Sequence, residues 1–260
     1  MARLSAVMIV KNEALVIAAC LERLTWADEI VVLDGGSSDA TLEIARQYTD
    51  KVSVEADWQG YGVQRQRAQK KASGDWILMV DADEHVSPDL KQSILTVVQQ
   101  DERNKAYSVA ILPWCFGRFL RHGGWYPAWK VRLYAKDKAT YGDQRVHEKL
   151  HFSPGVEIRR LQGDLLHYTY RDLEHYLVKS ARYAAEWAEQ GQQRGKQVSL
   201  LKGVAHGLGC FLRMYIFRAG FLDGKQGFLM AMLSAHSTFV KYADLWSRSQ
   251  GARNQPPSVE

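Results

Sequence analysis

Cysteine is scarce in this 260-residue sequence: Cys20, Cys115 and Cys210 are far apart and form no Cys-x-x-Cys pair. Three scattered thiols exclude a disulfide-built scaffold and a cysteine-ligated zinc site, and they suit a reducing compartment. No charge-free apolar run reaches the roughly 18 to 20 residues of a spanning helix, so a transmembrane segment is not expected. Met1-Ala2-Arg3 leads straight into a strand-like stretch without a signal-peptide cleavage pattern, so a place on the cytoplasmic side is expected. There is no Gly-x-x-x-x-Gly-Lys-Ser/Thr loop, which argues against a P-loop enzyme. No Gly-x-Gly-x-x-Gly follows the first apolar run, which argues against a dinucleotide dehydrogenase. Net charge is +5 and the isoelectric point about 9.0, which favours an anionic partner. Yet the basic residues are scattered and no helix-turn-helix or zinc-finger spacing occurs, so a nucleic-acid-binding module is disfavoured.

What is present is an alternation of strand and helix. Residues 4–10, 29–33, 51–54 and 76–80 are short apolar runs of the kind that sit buried in a parallel sheet. Between them lie helical patterns at 14–24, from about 40 to 48, and at 62–72. This is the rhythm of βαβ units and predicts an α/β sheet with helices on both faces. Three of the four strand ends carry acids, namely Glu13, Asp34 and the Asp81/Asp83 pair, which should line one edge of that sheet. In such folds ligands bind at the carboxyl ends of the strands.

Asp81-Ala82-Asp83-Glu84 is the densest of these acidic ends. Two carboxylates one residue apart beyond a rigid strand can hold a divalent cation whose other positions go to phosphate oxygens and water. Acids in that position are also ordinary turn formers and helix caps; Ser87 or Asp89 beside Pro88 reads as the start of a helix running to about residue 100. The glycines of Asp34-Gly35-Gly36-Ser37 permit a tight turn and close approach of a ligand to the backbone, and Ser38 or Asp39 can cap the following helix.

Taken together, Val10-Lys11-Asn12-Glu13, Val32-Leu33-Asp34-Gly35-Gly36-Ser37-Ser38-Asp39-Ala40-Thr41 and Gly74-Asp75-Trp76 through Asp83-Glu84 resemble, in order and spacing, the family 2 glycosyltransferases of GT-A fold. The likeness covers roughly the first 100 residues. Asp-Ala-Asp-Glu and the later His147-Glu148 pair are similar to those of bacterial lipopolysaccharide core β-1,4-glucosyltransferases. The resemblance implies a Rossmann-like, nucleotide-diphospho-sugar transferase sheet, a UDP-hexose donor and Mg²⁺ or Mn²⁺ as cofactor. It implies that Asp34 contacts uracil, that Glu13 borders the nucleoside pocket, that Asp81 lies near the ribose, and that Asp83, with Asp81 beside it, holds the metal. Arg65 stands where a basic residue near the phosphates is expected, and Gln66 where Asn is expected. The alternative for Arg65, Arg67, Lys70 and Lys71 is a solvated helix face, which is the preferred reading for most of the four.

Beyond residue 112 the composition turns aromatic, with Trp114, Phe116, Phe119, Trp125, Tyr126 and Trp129 around Gly123-Gly124. Such rings stack on sugars, but they also pack cores or touch lipid; Trp125 and Trp129 are the acceptor-side candidates. Arg132, in a strand at 130–135, is a candidate partner for an anionic acceptor or the leaving diphosphate. Inverting transfer needs a base for the acceptor hydroxyl, and Glu148 is the candidate, with His147 as a metal or phosphate contact or the alternative base.

Residues 1–170 are expected to form the catalytic domain, with 1–100 binding the nucleotide sugar and 101–170 on the acceptor side. A helical region follows at 171–250, and 251–260 reads as a flexible tail. Residues 200–246 mix apolar patches with Lys202, Arg213, Arg218, Lys225 and Lys241. That pattern suits helices lying on an anionic membrane surface, with a packed hairpin or a dimer interface as alternatives. The activity expected is transfer of a hexose, glucose foremost, to a lipopolysaccharide inner-core acceptor such as heptose. The alternatives are another lipid- or protein-linked glycan acceptor, or a nucleotidyltransferase.

Overall fold

The computed structural model describes residues 1–143 and 149–250. Its elements in chain order begin β1 (Leu4–Val10), α1 (Ile17–Glu22), β2 (Glu29–Asp34), α2 (Thr41–Ala45), β3 (Val52–Val54), α3 (Tyr61–Lys71) and β4 (Trp76–Met79). They continue with β5 (Glu84–Val86), α4 (Pro88–Gln100), β6 (Lys105–Cys115), β7 (Arg118–Phe119), β8 (Ala128–Ala135), β9 (Ala139–Tyr141), β10 (Leu150–Phe152) and β11 (Glu157–Tyr170). The helices α5 (Leu173–Gln193), α6 (Leu200–Leu212) and α7 (Gly224–Ser249) complete the described chain.

The chain divides into two compact units, one of residues 1–112 and 128–167, the other of 113–127 and the segment from Tyr168 onward. The aromatic segment 113–127, expected on the acceptor side of the catalytic domain, instead belongs with the C-terminal helices.

In the first unit the strands run in the order β3-β2-β1-β4-β8-β6-β11-β5. The β3-β2-β1-β4 half is parallel, whereas β8 is antiparallel to both β4 and β6, and β5 to β11. Every residue of β2 and β4 is buried, which is why both read as unbroken apolar runs. Side chains alternate across the sheet. Leu4, Ala6, Met8 and Val10 join Ile17, Cys20 and Leu21 of α1 and Leu90 and Ile94 of α4 on one face. Val7, Val31 and Leu33 join Ala68 and Ala72, at the C-terminal end of α3, on the other. The sheet is therefore filled on both sides, and its parallel half exposes mainly the tips of its strands.

Glu29 secures the opposite edge. Its buried carboxylate accepts from Ser5 Oγ, Lys51 Nζ, Ser73 N and Oγ, and Gly74 N, tying the entries of β1 and β2 to the turn before β4.

In the second unit α7 packs against α5 and α6. The α6 contact is close because Gly203 and Gly207 face it: a Cβ on Gly203 would lie 2.8 Å from Tyr242 Cβ, and one on Gly207 3.1 Å from the Ala235 carbonyl oxygen. Cys115, Leu120, Tyr170, Tyr176 and Met230 form its buried core.

Candidate active site

The first two strand-tip motifs are hydrogen-bonded to each other. Asn12 takes a left-handed conformation (φ 57°), which asparagine tolerates better than most side chains. From there its Oδ1 accepts from Ser38 N at 2.8 Å, and its own N–H donates to Ser37 Oγ at 2.8 Å. Glu13 N donates to Thr41 Oγ1 at 2.8 Å and Ala14 N to Asp39 Oδ2 at 3.2 Å, so the stretch after β1 is fastened to the start of α2. Asp39 also accepts from Thr41 N; the residue at the α2 cap is Ala40, and no side chain caps from that position.

Asp34 is fully buried. Its Oδ1 accepts from Gly36 N and Ser37 N, each at 2.7 Å, and its Oδ2 from Ser37 Oγ. With these bonds Asp34, expected to contact uracil, builds the turn at the end of β2. Glu13 is half-buried at the same edge.

The third motif is a turn closed by Glu84. Glu84 N donates to the Asp81 carbonyl at 2.9 Å, and the Glu84 side chain accepts from Asp81 N at 3.0 Å. Arg132, reaching from β8, spans Asp81 Oδ2 (2.8 Å) and Glu84 Oε1. Arg65, on α3, donates to Asp81 Oδ1 at 2.7 Å and stands over the Tyr141 ring at 5.7 Å. Each Asp81 oxygen thus has its own guanidinium, and both arginines are only 5% exposed.

Burial alone would raise the Asp81 carboxyl, but the adjacent Arg65 and Arg132 charges outweigh it and hold the group well below the carboxylate range. Glu84, more deeply buried and beside Asp81, moves the other way: burial raises it, and Arg132 only partly offsets this. Burial disfavours the Arg132 charge, but Glu84 and Asp81 more than restore it.

Two expectations change here. Arg132 does not reach out to an acceptor or diphosphate, and Arg65 is not part of a solvated face; both are buried braces of the 81–84 turn. Asp81, with both oxygens engaged by arginine, does not suit a second metal ligand. Asp83 stands apart from this network. Its Oδ2 is 3.1 Å from His167 Nε2 on β11, and the two side chains are 31% and 21% exposed. No group of three or more metal-ligating side chains occurs among the described residues. A carboxylate and an imidazole fit a cation that takes its remaining ligands from diphosphate and water, and the nitrogen donor suits Mn²⁺ better than Mg²⁺.

His167 was not among the sequence candidates. Its sequence separation from Asp83 hides the relation, and only the closing of β11 onto β5, with His167 opposite Glu84, makes it visible.

The remaining candidates divide. Trp129, 37% exposed, lies beneath the Arg160 guanidinium at 4.6 Å from its ring centre. Trp125 belongs to the second unit, set edge-on to Tyr170 at 6.2 Å. His147 and Glu148 lie outside the described residues. Gln66, where Asn was expected, donates to the Tyr141 carbonyl oxygen. Two clefts among the described residues of the first unit, about 470 Å³ beside Lys70, Lys136 and His151 and about 760 Å³ between α4 and β11, are lined by none of the strand-tip acids.

A parallel sheet edge that gathers a glycine-rich turn and a carboxylate turn defines an enzyme of the nucleotide-diphospho-sugar transferase class, with the GT-A arrangement. The chain belongs to glycosyl transferase family 2, whose model matches residues 5–156. Over 270 residues it is 29% identical to the uncharacterized glycosyltransferase RP128 of Rickettsia prowazekii (strain Madrid E), covering 98% of this chain and 90% of that one. It is 28% identical over 250 residues to the lipopolysaccharide core biosynthesis glycosyltransferase LpsC of Rhizobium meliloti (strain 1021), covering 94% and 92%. Among solved structures it is similar to S. aureus TarS 1–349 in complex with UDP, with 16% identity, a TM-score of 0.48, and coverage of 99% of this chain and 94% of that one.

Proposed function

We propose that this glycosyltransferase inverts the anomeric centre of a UDP-hexose, glucose foremost, as it transfers the sugar to a heptose of a lipid-linked lipopolysaccharide inner core at the cytoplasmic face of the membrane. The observation that carries the donor side is Asp83, aimed by the braced 81–84 turn and facing His167 at 3.1 Å. The name of the Rhizobium meliloti relative supports the class of acceptor.

Asp83 and His167 are the residues to hold a divalent cation, which when bound neutralises charge on the departing diphosphate. Asp81, Arg65, Arg132 and Glu84 keep Asp83 in place, so the donor meets a preset carboxylate. The Asp34 turn and Glu13 receive the nucleoside side. Glu148 takes the proton from the acceptor hydroxyl as that oxygen attacks the anomeric carbon from the face opposite the diphosphate; His147 is the alternative for that role. With the charge of the leaving group so met, no separate general acid is needed.

The test is a set of UDP-hexoses offered with Mn²⁺ and a heptose-bearing core oligosaccharide, with released UDP and the linkage of the product both measured. UDP release that depends on both donor and acceptor, with a β-linked product, is the expected result. Release of pyrophosphate from a nucleoside triphosphate instead would make the protein a nucleotidyltransferase.

A further inference from the structure

We propose that the α6–α7 hairpin is a docking surface for an anionic lipid bilayer, entered by its apolar tip and held by a rim of lysine and arginine. This deepens the reading of a lipid-linked acceptor and rests on it for the choice of lipid over protein as the occupant; the surface itself is argued from its own residues.

Helix α6 has two unlike faces. One carries Gly203 and Gly207 and is closed against α7. The other carries Leu201, Val204, Leu208 and Leu212, spaced three or four residues apart, and all are exposed, Leu201 at 78% and Leu208 at 62%. A π-helical turn (Arg213–Phe217) prolongs the stripe through Ile216. The chain then reverses at Ala219 (φ 53°) and a 3₁₀ turn (Gly220–Asp223). At this tip Phe217 is 81% exposed, with Phe221 and Leu222 about half exposed beside it. A row of exposed aliphatic side chains ending in exposed phenylalanines is the kind of apolar surface that marks an interaction site.

Charge selects the occupant. From Ser199 to Ala243 the basic side chains are Lys202, Arg213, Arg218, Lys225 and Lys241, and the sole acid is Asp223. Asp223 is buried, accepting from Arg121 N, His122 N and the His122 ring, so it contributes little to the surface. An apolar stripe with a cationic border, the one further acid of the hairpin, Asp244, being ion-paired with Arg248, complements anionic headgroups. A second copy of the same face would bring like charges together. The 18 residues 200–217, with mean hydropathy 1.2, just reach the length of a membrane span. However, Lys202 and Arg213 interrupt them and the glycine face is already occupied by α7, which fits a hairpin lying in the interface and not a helix crossing the bilayer.

The experiment is co-sedimentation of the full chain with vesicles of phosphatidylcholine alone or mixed with phosphatidylglycerol, without any sugar nucleotide. Binding to the mixed vesicles, weakened by added salt, is expected. Phe217→Asp with Leu222→Asp should lower partitioning by about tenfold or more, since each removes a fully apolar anchor. Arg213→Gln and Lys225→Gln should each lower it by about fivefold. All four side chains are exposed, and an unchanged melting temperature would confirm that the variants fold.

Equal binding to neutral vesicles, or variants that bind like the parent, would overturn the proposal. So would resistance to alkaline carbonate extraction, which marks a spanning helix, or a salt-stable dimer that ignores vesicles. Transfer to a soluble core oligosaccharide, measured on the same variants, should be unchanged. A parent protein that transfers sugar but ignores the mixed vesicles would fail the docking surface alone, and a parent that binds the vesicles without transferring sugar would fail the enzymatic reading alone.

Discussion

Asp83 and Asp81 are two residues apart, yet their surroundings give them different work. Asp81 is held by two guanidiniums, whereas Asp83 is paired with the His167 imidazole and remains partly open to solvent. Replacing Asp83 with Asn should therefore remove Mn²⁺-dependent donor binding and lower kcat/KM by at least about a hundredfold, more than the loss of a supporting group normally costs. His167→Gln should act more mildly, raising the Mn²⁺ concentration needed for half-maximal activity; titration of activity against Mn²⁺ for both variants checks the pair. Arg132 has a structural signature instead. Arg132→Met leaves Asp81 and Glu84 with one guanidinium between them, and breaking a buried pair of this kind costs about 3 kcal/mol or more. A lower denaturant midpoint is the expected reading. The acids were legible in the sequence because they follow apolar runs directly. Their division of labour was not, because it is decided by Arg65 and Arg132, whose sequence neighbourhoods look like an ordinary basic helix and an ordinary strand.

Among the elements, α4 shows how a local signal and a remote one meet. Ser87, followed by Pro88, is recognisable as a cap, and its Oγ accepts from Leu90 N at 3.3 Å. The same hydroxyl accepts from Asp164 N at 3.1 Å, fastening the helix start to β11. Gly163, with φ 89°, lies just before it, and a Cβ there would fall 2.2 Å from Leu90 N. Ser87→Ala should cost about 1 kcal/mol. Gly163→Ala should cost more, about 2 kcal/mol or above, because strain and collision add; thermal melts of the two variants give the ranking. Strands β1, β2 and β4 were readable as continuous apolar runs. Strand β5 and the first half of β11 were not, although residues 165–170 read as extended: Val86 pairs with Leu165 across 79 positions, and the N-terminal part of β11 is largely exposed, so no apolar period marks it.

For the molecule as a whole, acid stability should be governed in part by Glu29. Burial would raise this carboxyl, but Lys51, Ser5 and Ser73 outweigh it and bring it from 4.5 to about 2. A depressed carboxyl contributes stability that is present above its unfolded value and is lost as pH falls toward its folded one. Unfolding free energy should thus drop between about pH 4.5 and pH 2, by up to about 3 kcal/mol from this group. Glu29→Gln should flatten that part of the profile, as denaturant titrations at stepped pH would record. The alternation of strands and helices made the layered sheet and its acidic edge legible from sequence. The allotment of residues 113–127 to the helical unit was not, because aromatic rings look alike whether they await a sugar or, as Phe116 and Trp125 do, pack against Tyr170. The bonds between Asn12 and the Ser37-Ser38 turn have a thermodynamic consequence. Two loops 25 to 26 residues apart are already one stiff template, so were a ligand to dock against them, little chain freedom would be forfeited and its selection would follow from a contour set beforehand.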